Sequence, residues 1–72
     1  MYYVYILKIN RGGIYIGYTE DLKRRFKEHS KDKKCVLIYY EAYETSELAR
    51  DRETNLKQYS GALRSLKKRI SI

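Results

Sequence analysis

Two ionisable side chains stand where an amphipathic helix should be apolar. Leu22 and Phe26 set the apolar stripe of the segment from Glu20 to Ser30. At ~100° per residue, Arg25 lies ~60° and His29 ~20° from Leu22, whereas Lys23, Arg24, Lys27 and Glu28 point elsewhere. An inward guanidinium requires an anionic or hydrogen-bonding partner, because an unpaired charge in a dry site is costly. Glu53 repeats the anomaly: it sits on the rim of the stripe built by Leu48, Ala49, Leu56 and Tyr59. It can be the structural partner of Arg25. It can equally be an oxygen ligand for a hard divalent cation, since magnesium sites in phosphate chemistry use one or two carboxylates together with waters and substrate oxygens.

Tyrosines in a β-hairpin supply the third component. Residues 2–9 are almost all β-branched, aromatic or aliphatic, Asn10-Arg11-Gly12-Gly13 has turn chemistry, and Ile14 to Thr19 is a second β-rich run. A three-residue loop, Asn10-Arg11-Gly12 with Gly12 left-handed, sets Tyr5 opposite Gly17 and puts Tyr5 and Tyr15 on one face. A two-residue turn would send them to opposite faces. The first register is favoured because Gly17, without a side chain, leaves room for the Tyr5 ring and for a close phosphate.

The elements that must position these groups follow in order. Thr19 is a plausible N-cap for the first helix, with Glu20 and Asp21 suited to the positive end of its dipole. Lys31 to Lys34 reads as a solvated loop. Cys35 to Ala42 reads as a third strand, apolar on both faces and therefore central or covered twice, which implies helices on both sides of the sheet. Thr45 or Ser46 caps a second helix through about Tyr59, Ser60-Gly61 breaks it, and Ala62 to Ile70 forms a third. The expected fold is α+β: one domain over residues 1–72, a small three-stranded antiparallel sheet flanked by helices, in the order β-β-α-β-α-α.

Composition narrows the function classes. At 72 residues a second substrate-binding domain has no room. One cysteine, Cys35, and one histidine, His29, exclude an internal disulfide and a structural zinc site. No apolar run approaches the ~20 residues that span a bilayer, and the N-terminus lacks signal-peptide features, so the expectation is a cytoplasmic protein without a membrane partner. Sixteen Lys and Arg stand against nine Asp and Glu, a net charge of +7, and nine tyrosines accompany them. Basic side chains concentrate in residues 23–34 and 57–70, flanking an acidic stretch at 41–53. Solvated helix faces explain many of these charges, but the pattern also fits phosphate-gripping edges around a carboxylate that holds a cation.

Tyr3-Val4-Tyr5, Tyr15-Ile16-Gly17-Tyr18-Thr19, Leu22, Arg25, His29, Ala49, Arg52-Glu53 and Leu56-Lys57, taken as an ordered set, resemble the GIY-YIG nuclease superfamily. Within it the chain looks most like small single-domain bacterial proteins related to the N-terminal incision domain of the excision-repair nuclease. The resemblance runs from Tyr2 to Ile70. Tyr3-Val4-Tyr5 stands where the family has Gly-Ile-Tyr, and the literal Gly13-Ile14-Tyr15 is a coincidence of the neighbouring segment. The resemblance implies that Tyr5 and Tyr15 are candidate activators of the attacking water, with either able to take its proton. It further implies that Arg25 stabilises the pentavalent phosphate, that His29 assists proton transfer or phosphate binding, and that Glu53 holds one Mg²⁺ or Mn²⁺ ion. Gly17, Lys23, Arg24, Lys33, Lys34 and Lys57 are the candidate nucleic-acid contacts.

The implied activity is metal-dependent DNA endonuclease chemistry of low sequence specificity, with structure selectivity and a DNA repair setting borrowed from relatives. Phosphodiester hydrolysis needs an activated water, positive charge on the non-bridging oxygens and a Lewis acid at the leaving oxygen, which this residue set can provide. The chain departs from the family in its short 30–34 loop and in Tyr59, often Trp in relatives. Two other readings compete. In one, a non-catalytic nucleic-acid-binding module keeps Arg25 and Glu53 as a structural ion pair. In the other, a catalytic subunit depends on a protein partner for specificity.

Overall fold

Val4, Tyr5, Ile6 and Leu7 are each no more than 1% exposed, so the first strand is covered on both faces. A computed structural model of the chain describes residues 1–10, 12–32 and 35–71, with the side chains of 29–32 excepted. Strand β1 (Tyr2–Ile9) is the centre of a three-stranded antiparallel sheet, between β2 (Ile14–Thr19) and β3 (Cys35–Tyr43). The elements continue as α1 (Leu22–Asp32), before β3, then α2 (Ser46–Gln58) and α3 (Ser60–Ile70). Fold class and element order are as expected from the sequence.

The hairpin adopts the three-residue register. Tyr5 pairs with Gly17, Gly12 has φ +99°, Ile9 N–H donates to the Gly13 carbonyl at 2.9 Å and Gly12 N–H to the Ile9 carbonyl at 2.9 Å. Tyr3, Tyr5, Leu7, Tyr15 and Gly17 consequently share one face, while Val4, Ile6 and Ile16 share the other with Ala49, Leu56 and Leu66, the apolar core under α2 and α3.

Four local expectations are corrected, the first being the solvated loop expected from Lys31, because α1 runs on to Asp32. The twice-covered central strand is β1, whereas β3 lies at the edge with Val36 and Tyr40 well exposed. Its two-sided apolar pattern has a geometric cause: the register shifts between Ile6, opposite Tyr39, and Leu7, opposite Leu37, leaving Ile38 as an extra residue. Ile38 and Tyr39 then both pack on the core side. Helix α1 begins at Leu22 and is capped by Asp21, whose Oδ1 accepts from Arg24 N–H at 3.0 Å. Thr19, buried, instead accepts the Asp21 N–H at 3.0 Å and shapes the turn ahead of the cap. Thr45 caps α2 as expected, accepting from Leu48 N–H at 3.2 Å. The break after α2 falls at Tyr59, extended at φ −113° and ψ 101°, and Ser60 and Gly61 already belong to the first turn of α3. Among the described residues no helix is long and apolar enough to cross a membrane.

Candidate active site

The antiparallel register brings the two hairpin tyrosines together. Their ring centroids are 6.1 Å apart at a 34° tilt. Tyr5 is 1% exposed and Tyr15 41%, so one ring forms the floor of the site and the other its surface. Gly17 makes this pairing sterically feasible: a Cβ there would overlap Cζ and Oη of Tyr5 and come within 2.8 Å of Cε1 of Tyr15. Gly17→Ala is therefore expected to destabilise the chain by about 1–3 kcal/mol, as overpacking does. The check is a lowered thermal midpoint together with an altered near-ultraviolet tyrosine signal.

The electrostatics at Tyr5 report which other groups surround it. Burial pushes its phenol above the ordinary tyrosine range, reinforced by the Tyr15 side chain, its hydrogen bond with Tyr15, and the Glu53 carboxylate, while the Arg25 guanidinium pulls the other way. Tyr15 of β2, Arg25 of α1 and Glu53 of α2, three sequence-predicted side chains from three elements, thus all act electrostatically on the phenol of Tyr5 in β1. Burial thus favours the protonated Tyr5 phenol, which can donate a hydrogen bond.

Arg25 is not turned into the core, as the helical stripe suggested. Its side chain is 44% exposed, with Nη1 3.6 Å from Glu28 Oε2. Glu53, 23% exposed, is paired with Lys57 at 3.2 Å. Those two contacts replace the Arg25–Glu53 structural pair considered from the sequence. Arg25 escapes burial because α1 turns Leu22 and Phe26, both half-buried, toward Tyr3 and Leu37 of the sheet and leaves Arg25 exposed.

Among the described residues no group of three or more His, Cys, Asp or Glu is placed to hold a metal ion. A single carboxylate nevertheless suits a magnesium-type ion that retains waters and takes its remaining ligands from substrate phosphate oxygens. Glu53, half-buried and with hard oxygen donors, fits that requirement; a zinc-type cage does not fit.

Of the candidate nucleic-acid contacts, Lys23 and Arg24 are exposed on α1, Arg24 lying 3.7 Å from Glu28, and Lys57 is half exposed on α2. Gly17 lies beneath the tyrosine pair. Lys33, Lys34 and the His29 side chain lie outside the described residues.

Sequence reasoning missed a polar network on the sheet face opposite the tyrosine pair. Glu41 of β3 accepts Tyr39 Oη–H at 2.6 Å, Tyr43 Oη–H, and Arg52 Nε–H at 3.0 Å, and Arg52 Nη1 donates to Asn55 Oδ1 at 3.0 Å. Burial pushes the Glu41 carboxyl up, but the hydrogen bonds from Arg52, Tyr39 and Tyr43 outweigh it and hold the group below the usual glutamate range. Burial and the bond to Glu41 push Tyr43 up to about 12, and Tyr39 moves the same way. The signal was a lone glutamate in an apolar strand with tyrosines two residues to either side on its own face.

Comparison with known proteins finds similarity over nearly the whole chain. The family model for the GIY-YIG catalytic domain matches residues 1–69. UPF0213 proteins of Staphylococcus aureus strains Mu3 and N315 are each 33% identical, over 82% of this chain and 83% of the relative. The solution NMR structure of a UPF0213 protein from Bacillus halodurans is 34% identical, superposes with a TM-score of 0.59, and covers 93% of this chain and 86% of that one. The sheet, the tyrosine pair over Gly17 and a family match across nearly the whole length lead to one assignment: the chain belongs to the GIY-YIG catalytic domain family, a family of nucleases.

Proposed function

We propose that the protein is a metal-dependent DNA endonuclease that hydrolyses phosphodiester bonds with low sequence specificity, using Tyr15, Tyr5, Arg25 and Glu53. The observation that carries this reading is the Tyr5–Tyr15 pair over Gly17, with Tyr15 reaching solvent and Tyr5 buried beneath it, and with the Arg25 and Glu53 charges both acting on the Tyr5 phenol. DNA is the substrate class on which nucleases of this family act.

In this mechanism the exposed Tyr15 hydroxyl takes the proton of the attacking water as it releases its own to solvent; the water oxygen bonds to phosphorus, the bond to the 3′ oxygen breaks, and that oxygen takes a proton from solvent. Tyr5, kept protonated by burial, holds Tyr15 by a hydrogen bond and fixes its orientation. Arg25 needs only to leave its long contact with Glu28 to place its guanidinium on the non-bridging oxygens, where charge builds up in the transition state. Glu53 would hold one Mg²⁺ or Mn²⁺ ion in place of its pairing with Lys57, whose ammonium would then be available to a phosphate. Such an ion would supply Lewis-acid stabilisation of charge on the leaving 3′ oxygen. The lysines of α1 and α2 contribute sequence-independent affinity that declines steeply with salt.

The test of the tyrosine roles is single-turnover nicking of supercoiled DNA in magnesium by the parent, Tyr15→Phe and Tyr5→Phe. Tyr15→Phe is expected to lose about 10²–10⁴-fold, the scale of general acid–base catalysis. Tyr5→Phe, which keeps the ring and loses the hydrogen bond, should lose about tenfold or less, near 1 kcal/mol. A larger loss in Tyr5→Phe than in Tyr15→Phe would reverse the assignment.

A further inference from the structure

Beside the tyrosine pair, the same sheet face carries an open cleft of about 490 Å³ between α1 and β3. Tyr3, Leu22, Phe26 and Leu37 form its walls. Tyr40, 54% exposed, stands edge-on to Tyr3 with ring centroids 6.1 Å apart and planes at 67°. Tyr40 is also the direct cross-strand partner of Tyr5, so the cleft opens one strand away from the proposed reaction centre.

We propose that this cleft receives an unpaired nucleobase of the DNA strand being cut, stacked on Tyr40. The inference rests on the nuclease reading and names what that site accepts next to the scissile phosphate. Three features select a base as the occupant. Exposed aromatic rings beside a basic surface are the combination that binds single strands, because every base has a π-face to stack. The rim carries Glu20 and Asp21, which repel a phosphate but can accept hydrogen bonds from the exocyclic amines of a base. Lys23, on the same rim, is available for the backbone phosphate that accompanies that base. A base still paired within a duplex cannot reach the cleft, so the proposal makes strand opening or an existing single-stranded segment a requirement for tight binding.

The test is equilibrium binding by the full chain in chelator, so that no cleavage occurs, with a single-stranded oligonucleotide carrying one 2-aminopurine and with a matched duplex. The parent should quench the 2-aminopurine on binding. Tyr40→Ala should lose about tenfold in single-strand affinity and lose the quenching, with duplex affinity unchanged within about twofold. Tyr40→Phe, which keeps the ring, should behave like the parent. Circular dichroism should show all variants folded, since Tyr40 is a surface side chain. Equal losses on single strand and duplex would overturn the proposal, as would a Tyr40→Phe as weak as Tyr40→Ala. Unchanged affinity without quenching, the result expected of a cleft that takes an apolar protein segment, would overturn it too. Selective stacking in a protein that cuts no DNA would instead sink the nuclease reading and leave the cleft assignment standing.

Discussion

Arg25→Ala is expected to lower DNA cleavage by about 10²–10³-fold, the effect of deleting one preorganised donor to a developing anion, while the circular dichroism spectrum and thermal midpoint stay near those of the parent. The separation of activity from stability follows from where Arg25 sits. Its side chain is 44% exposed and its ion pair with Glu28 is long, at 3.6 Å, the sort of surface pair that contributes about 0–1 kcal/mol. The fold therefore gains little from the guanidinium, yet its charge is felt at the Tyr5 phenol, at the centre of the tyrosine pair. Single-turnover nicking and a melt on the same preparation check both halves. Loss of fold in Arg25→Ala would instead assign the residue to the scaffold.

The opposite pattern is expected at Glu41. Glu41→Ala should cost about 2–3 kcal/mol of stability, because it strands the Arg52 guanidinium and two tyrosine hydroxyls in a half-buried setting. For so small a domain that is a large part of a total near the low end of about 5–15 kcal/mol. Denaturant unfolding measures it. The network also sets a pH window. The folded Glu41 carboxyl is held below its ordinary range, so the stability it adds is present above the unfolded value of ~4.3 and is lost as pH falls through the lower, native one. Tyr43 is raised to about 12, so its contribution is intact below ~10 and fades as pH climbs from there toward about 12. Glu41→Gln should flatten the acid limb of the stability profile. An unchanged acid limb would mean that the network carries no pH-linked stability.

Much of this architecture is legible in the sequence where one residue type fixes a geometry. Gly17 selects the hairpin register because a side chain there would collide with Tyr5, and Thr45 caps α2 because its hydroxyl is the first acceptor available before a helical stripe. Where two residues offer the same chemistry, the pattern does not decide: Thr19 and Asp21 are both good caps, and the turn held by the Thr19 hydroxyl moves the helix start to Leu22. The edge position of β3 depends on strand order, which local periodicity does not encode. Arg25 illustrates a related limit. Helical angles place it near the Leu22 stripe, but whether that rim is covered depends on how α1 is tilted against the sheet. The Glu41–Arg52 pair joins residues from a strand and a later helix, and what betrays it is alternation: Tyr39, Glu41 and Tyr43 all fall on one face.

The most direct test of the account is cleavage of supercoiled DNA by the parent chain and by Glu53→Gln, purified side by side, in magnesium, in manganese and in chelator. The account predicts nicking by the parent in either metal, none in chelator, and a loss of at least about 10²-fold in Glu53→Gln with its fold intact. Nicking that survives in Glu53→Gln, or in chelator, would contradict it, and so would a folded, DNA-binding parent that cuts nothing in either metal.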